Sequence, residues 1–414
     1  MTVHQLRPRT AAESALIALA PSAPVAVHAQ AALDALHREG LPNRRVEAWH
    51  YTDLRQLIAR ATSGAVEAGQ ADDVLAPLLA GSLVVELGAG TAPSGADRDG
   101  LSLAHTGDSA DWRTSPNHLD RPVDTVRLLN AAFGATAVRV SVEAGTELPP
   151  IELRAQGTAA GAHGFAICDV AAGAKAVIVE RLSANAGGAP FSTGVSNLDI
   201  GDGAEVLWIV DQTKSAGDTH LGQLNVRIGA DARFKLFVLN AGGALVRYEV
   251  HSETVGEGAD IAIRGVNLLR DKQHVDVTTT LVHSVAHTTA TEVFRNVVTG
   301  GTGVFQGMIK VAPGAQKTDA KMACNSLLLS DEGEFLAKPE LEIFADDVQC
   351  GHGATAGEIN EDHLFYLMSR GIPETSARAL LVKAFVAEVV EELEHDAAVE
   401  ALEARIDAWL ELSA

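Results

Sequence analysis

The sequence predicts a mainly β fold: a parallel β-solenoid core flanked by α-helical regions at both ends. Three observations predict it: a repeat of roughly 28 residues, strand-like alternation after each repeated turn, and a core nearly without aromatic residues. The segments starting at Val170, Ile200, Ile228 and Val255 each read as a turn of small residues followed by an alternating strand. Their alanines, Ala174, Ala204, Ala232 and Ala259, stand 30, 28 and 27 residues apart. Two further steps reach Ala315, and one more lands at Ile343. A single β-rung cannot bury its apolar face alone, so rungs stack and share one continuous interior. Aromatic residues make up only 4% of the chain, so Val, Ile, Leu and Ala must fill that narrow interior. A β-sandwich is the runner-up, but it would show turns every roughly 8–12 residues without the longer repeat.

The remaining chain divides in order. Residues 1–80 form an N-terminal helical region, 81–348 the β core and 349–414 a C-terminal helical region. Residues 10–20 and 25–39 carry Ala and Leu at helical spacing, and Gly40 ends the second helix. The aromatic and charged run from Leu41 to Leu54 reads as a packed corner, with Trp49 and Tyr51 buried and Arg45 paired to Glu47; the alternative is a binding surface. Residues 62–122 are loop-rich, with a short strand at 82–87. Asp124 caps a helix over 124–133. Strand patterning starts at Ala135 and stops near Val348. Three helices follow: 358–371 with Asn360 as cap, one from Pro373 to Glu394, and one over 397–412. In the middle one, Leu380, Leu381, Ala384, Phe385, Val389, Val390 and Leu393 form the apolar stripe.

The net charge of -22 argues against a nucleic-acid surface and against an anionic membrane surface, both of which call for clustered Lys and Arg. Three widely spaced cysteines, Cys168, Cys324 and Cys350, do not make a disulfide framework. Free thiols point to a reducing compartment. The apolar residues 15–27 are broken by Pro21 and Pro24 and lack a basic flank, so they do not read as a signal peptide. With no long apolar run, the expectation is a soluble, cytoplasmic protein.

One stretch carries candidate chemistry. Between Lys338 and Gly357, Cys350 and His352 are the one close Cys/His pair in the chain. In an extended strand, residues i and i+2 share a face, so a soft sulfur and an imidazole nitrogen project side by side. Two ligands do not complete a metal site. Either another chain supplies the rest, or the pair is structural. Asp346 and Asp347 read as a solvated turn, and Cys168 as a small buried residue. His274, His283 and His287 fall within one half-rung, where lone histidines are more often satisfied by the core than by a metal. No phosphate-binding GxxxxGK[ST], GxSxG or HExxH motif occurs.

The run Lys338–Gly357, continued by Glu358 to Gly371, resembles the C-terminal signature of the SufB/SufD family, scaffolds of the SUF iron–sulfur cluster assembly system. Supporting stretches are Pro42–Leu54, similar to that family's Pro-x-x-Arg-x-Glu-x-Trp-x-Tyr-Thr element, and Lys317–Met322. The Asp-Asp-Val-x-Cys-x-His-Gly-Ala-Thr form resembles the SufD branch; SufB chains carry Glu in place of Gly353 and a cluster-linked cysteine one strand earlier, where this chain has Cys324. The resemblance implies a right-handed parallel β-helix and a non-catalytic scaffold subunit. It implies pairing with SufB through the β-helix, and docking of the SufC ATPase on the C-terminal helices. Glu358, Leu364, Phe365, Tyr366 and Arg370 are the candidate docking residues. It also implies a nascent iron–sulfur cluster at the SufB interface, with His352 and Cys350 as candidate ligands, and reduced flavin at the level of the whole complex only. A homodimer of the isolated chain is a further expectation. Other readings are a carbohydrate-active β-helix, which the scarcity of aromatics disfavours, and a purely structural interaction module in which Cys350 and His352 only pack.

Overall fold

The computed structural model describes residues 9–21, 27–63, 75–88, 99–106, 124–155, 157–158, 161–183 and 191–413. Most of the loop-rich 62–122 segment lies outside these. Helices α1 (Ala11–Ala18), α2 (Val27–Glu39) and α3 (Leu54–Ser63) precede the sheets, and α4 (Thr125–Ala132) interrupts their start. Helices α5 (Glu361–Ser369), α6 (Glu374–Glu391) and α7 (Asp396–Ser413) follow them. The strands begin with β1 (Leu83–Leu87), β2 (Leu101–His105), β3 (Ala137–Val142), β4 (Ile151–Ala155), the short β5 (Gly157–Thr158), β6 (Gly161–Val170) and β7 (Lys175–Ser183). They continue as β8 (Phe191–Ile200), β9 (Glu205–Thr213), β10 (Thr219–Ile228), β11 (Arg233–Asn240), β12 (Leu245–Thr254) and β13 (Asp260–Leu269). Last come β14 (His274–His283), β15 (Thr289–Val298), β16 (Gly301–Val311), β17 (Asp319–Leu328), β18 (Gly333–Ile343) and β19 (Gln349–Gly357).

From β6 onward the chain alternates between two sheets. Even-numbered strands stack in one and odd-numbered strands in the other, each parallel to its neighbours. The parallel solenoid expected from the repeat is therefore present, with helices at both ends. The strand pattern runs beyond Val348, because residues 349–357 form β19 and pair with β17. The repeat continues differently from the alanine count. Register pairs Asp260 with Thr289 and Thr289 with Asp319. Thr288 and Thr318 thus take the corner position of Ala259, not Ala315. Their hydroxyls are satisfied there: Thr288 bonds His283 Nδ1 at 2.7 Å, and Thr318 donates to the Ala315 carbonyl at 2.9 Å. The residue before each corner adopts a left-handed backbone. Gly173, Gly203 and Gly258 do so at no steric cost, whereas Asp231, His287 and Lys317 adopt it without being glycine.

Inward residues of both sheets make one core that runs the length of the solenoid. Long side chains lie along its axis in slots left by glycines. The Tyr248 ring covers Gly222, and its hydroxyl donates to Glu180 at 2.6 Å. The Phe294 ring covers Gly265, and the Met322 sulfur sits against Gly307. A row of amides crosses the rungs: Gln212 donates to Asn240 (3.5 Å), Asn240 to Asn267 (2.7 Å), Asn267 to Asn296 (2.7 Å) and Asn296 to Ser326 (2.9 Å). Such ladders satisfy polar groups that burial would otherwise leave unpaired.

The helical ends dock on opposite outer faces. Leu16, Leu36, Trp49, Leu54 and Leu129 pack on the outside of the even sheet against Phe165, Val195, Leu221 and Leu245. The Leu41–Leu54 corner is indeed packed, but through unforeseen partners. The Arg247 guanidinium lies 4.1 Å from the Trp49 ring centroid and donates to the Ala48 carbonyl at 2.8 Å. Thr52 donates to Asp276, which also binds Arg247. Tyr51 is half-buried, and Glu47 pairs with Lys338 at 2.6 Å rather than with Arg45. On the odd sheet, α6 buries Val382, Val386, Val389 and Val390 and leaves Leu380 exposed. Three ion pairs tie this segment across successive strands: Arg295–Glu388 (2.6 Å), Arg264–Glu392 (2.5 Å) and Lys235–Glu394 (2.5 Å).

Slot packing predicts sharp intolerance at the lumen glycines. A Cβ at Gly222 would stand 2.4 Å from Tyr248, and one at Gly265 would stand 2.1 Å from Phe294. Gly222→Ala and Gly265→Ala should each cost about 1–3 kcal/mol in denaturant unfolding. Gly314→Ala, which meets open space, should stay within about 0.5 kcal/mol.

Candidate functional site

The solenoid is open at its C-terminal end. Among the described residues, β18 and β19 each pair on one side only, with β16 and β17. No further rung covers their inward faces. Phe335 and Leu341 are half-buried there, while Ile343 and Phe344 are 40% and 58% exposed. Cys350 and His352 belong to this end. Cys350 pairs in register with Ala320, and His352 with Met322, both inward residues of the preceding rung. The expected shared face is thus the lumen face of the last odd strand, with Cys350 half-buried and His352 exposed.

Burial is the larger influence on the Cys350 thiol and pushes it above the ordinary value; the Asp319 carboxylate adds to this, and an Ala320 backbone hydrogen bond opposes it. A thiol held this way keeps its proton until a metal displaces it. Cys324 faces the same lumen one strand earlier, but it pairs with Ala354, four residues along from Cys350. That offset is roughly 13 Å along the strand, beyond disulfide reach. Cys324 is fully buried, accepts from the Asn296 amide at 3.3 Å, and its thiol is pushed well up by burial.

The other sequence candidates separate. His274 bonds Thr52 (3.0 Å) at one end of β14, and His283 bonds Thr288 at the other. Among the described residues no group of three or more His, Cys, Asp or Glu side chains is arranged to hold a metal ion. Asp347 is tied to Lys317. Cys168 is buried in the solenoid core. Of the candidate docking residues, Leu364 is buried and anchors α5, whereas Phe365 and Tyr366 are 73% and 56% exposed. Arg370 stacks 5.2 Å from the Tyr366 ring. Glu358 lies before α5, which starts only after Asn360, whose side chain accepts from His363 N. No helix among the described residues is long and apolar enough to cross a membrane.

Residue-type motifs gave no hint of Glu292. It stands inward on β15, in register with Met322 and therefore two strands below His352. Its strand parity, shared with buried Ala290 and Phe294, was the available signal. Burial pushes this carboxyl up to about 7, opposed by a Thr279 hydrogen bond and by Arg264. Glu180 is likewise raised to about 7 by burial, against hydrogen bonds from Tyr248 and Trp208.

Comparison with known proteins gives a consistent picture. A family model described as "SUF system FeS cluster assembly, SufBD core domain" matches residues 153–385. The chain is 29% identical over 388 residues to the iron–sulfur cluster assembly protein SufD of Escherichia coli, covering 91% of each chain. It is 28% identical over 393 residues to a SufBD family protein of Synechocystis, covering 88% of this chain and 86% of that one. A chloroplastic Arabidopsis thaliana protein, ABCI7, is 31% identical over 182 residues, 44% of this chain and 38% of its own.

The lumen glutamates make stability pH-dependent. A glutamate starts from 4.5, and burial raises Glu292 to about 7. Between those values the folded chain binds more protons than the unfolded one, so stability falls as pH rises through them and stays low above. Glu292→Gln should remove up to about 3 kcal/mol of that fall. Denaturant unfolding at pH 5 and pH 8 checks it: the variant should gain on the wild type only at the higher pH.

Proposed function

The chain belongs to the SufBD core family of the SUF iron–sulfur cluster assembly system, and from that premise we propose a SufD-type scaffold subunit that builds nascent clusters jointly with a SufB-type chain. The observation that carries this reading is the Cys350–His352 pair on the lumen face of an uncovered last strand. An open end with two free sheet edges and an apolar cross-section between them fits another solenoid end better than a single helix or loop. A SufB-type chain docked there supplies the ligands that two residues cannot. The cluster is cargo, not a resident cofactor. His352 offers an accessible imidazole, and Cys350 binds iron as its proton leaves to solvent.

The proposed subunit catalyses nothing itself; ATP hydrolysis belongs to a SufC-type partner on α5 and α6, and the assembly works in the cytoplasm. Exposed Phe365 and Tyr366 support the docking surface. The ion pairs from Arg264 and Arg295 to the α6 segment support a mechanical route, since β13 and β15 lead through β17 to β19. Movement of α6 would then reach the strand that carries Cys350 and His352.

Co-expression with the SufB-type and SufC-type partners tests the proposal. After anaerobic purification, His352→Ala should lower the visible cluster absorbance several-fold while the complex stays intact by size-exclusion chromatography. Unchanged absorbance would leave the chain a purely architectural role.

A further inference from the structure

Three glycines stack in register on the inward face of the even sheet: Gly164 on β6, Gly194 on β8 and Gly222 on β10. Each leaves a slot where a side chain would stand. Two of the slots are filled by carbon. Leu87 and Ala155 come within 3.1 and 3.2 Å of the point a Gly164 Cβ would take, and the Tyr248 ring lies against Gly222. The middle slot differs. Around the point a Gly194 Cβ would take, the nearest atoms are Glu180 Oε1 at 3.0 Å, His220 Cε1 at 3.5 Å and His220 Nε2 at 3.8 Å. Room for one small group is thus bounded by a carboxyl oxygen and an imidazole rather than by apolar packing.

The hydrogen bonds of His220 point to the same place. The residue is 1% exposed. Burial is the largest influence on its imidazole and holds it neutral, with Lys214 and His163 acting in the same direction. A neutral imidazole carries one N–H and one bare nitrogen. Ser192 Oγ lies 2.9 Å from His220 Nδ1 and 3.3 Å from the Thr219 carbonyl oxygen. A hydroxyl has one proton, so both contacts are hydrogen bonds only when Nδ1 donates to Ser192 and Ser192 donates to Thr219. Nε2 is then an acceptor, and no described residue donates to it. A buried acceptor without a donor is costly. Across the slot, Glu180 Oε2 accepts from Tyr248 at 2.6 Å, while Oε1 keeps lone pairs facing the Gly194 side.

We propose that a single internal water occupies the Gly194 slot, donating one proton to His220 Nε2 and the other to Glu180 Oε1. Water is the occupant that these partners select. Both face it as acceptors, both need a donor from one small group, and a methyl-sized space admits little else. A metal ion would call for a larger donor set, and no group of three or more His, Cys, Asp or Glu side chains among the described residues is arranged to hold one. The water links the two sheets, because Glu180 stands on β7 and His220 on β10. It therefore ties them together at the rung where glycine leaves them without apolar contact.

A pair of substitutions tests this in the full chain. Gly194 is not among the residues with a positive φ, so its backbone accepts a side chain. Gly194→Ala places a methyl in the slot and expels the water without replacing its hydrogen bonds. Gly194→Ser adds a hydroxyl that restores one of them. The serine variant should melt above the alanine variant, by about 2 °C. An alanine variant as stable as the serine one, or more stable, would overturn the proposal, because a dry slot favours the methyl. Crystals of the unmodified chain decide the matter even where neither variant folds. High-resolution electron density should show one peak within about 2.5–3.2 Å of both His220 Nε2 and Glu180 Oε1. No peak there, or a peak with the anomalous signal of a metal, would also overturn it.

Discussion

Everything in this molecule depends on filling a lumen only two sheets wide. Each rung buries its inward row against its neighbours, while separate clusters under the helices cover the outer faces. Aliphatic residues do most of this. Several larger side chains enter where a glycine yields space: Tyr248 over Gly222, Phe294 over Gly265, Met322 against Gly307. Such pairs couple neighbouring rungs, so a change in volume at one is felt by the next. Polar groups enter on the same terms. Tyr248 and Glu180 satisfy each other, and the amide row from Gln212 to Ser326 satisfies itself. Glu292 belongs to neither arrangement. Burial raises its carboxyl to about 7, so it is only partly ionised near neutral pH, close to the uncovered end.

The outer faces settle how the solenoid is used. The N-terminal helices cover the even sheet through an apolar cluster and the Arg247–Asp276–Thr52 network. The C-terminal helices cover the odd sheet through α6 and through three ion pairs from its last turns and the turn that follows. Docking is thus spent on the sides, and the last rung remains free. A chain whose conspicuous thiol and imidazole sit on that uncovered rung fits the proposed shared role, in which another molecule brings the remaining ligands.

Much of this was legible in the sequence, and the parts that were not have physical reasons. Strand alternation and the alanine spacing identified the solenoid, and the caps Asp124 and Asn360 located two helices. The Cys350–His352 face followed from strand geometry alone. Past Ala259 the repeat was misread because threonine replaces alanine at the corners and non-glycine residues take the left-handed turn position. Glu47's partner lay nearly three hundred residues away, at Lys338, so a local reading assigned it to Arg45. Leu380 was placed on the buried stripe but is exposed, whereas Val389, Val390 and Leu393 of that stripe are buried, joined by Ala377, Val382 and Val386. Free edges were invisible for a different reason. A strand's pairing depends on what lies beside it in space, and only register shows that β18 and β19 each pair on one side.

The amide row carries a consequence of another kind. Because Gln212, Asn240, Asn267, Asn296 and Ser326 must stay stacked, the chain between them can change in length only where a corner loop absorbs the difference. Otherwise it must gain or lose a whole rung at a time. Each rung adds about 4.8 Å to the axis. The separation between the helix-bearing flank and the open end is therefore counted in whole steps, like teeth on a ratchet, and relatives that rescale it must do so by duplication or deletion of entire rungs.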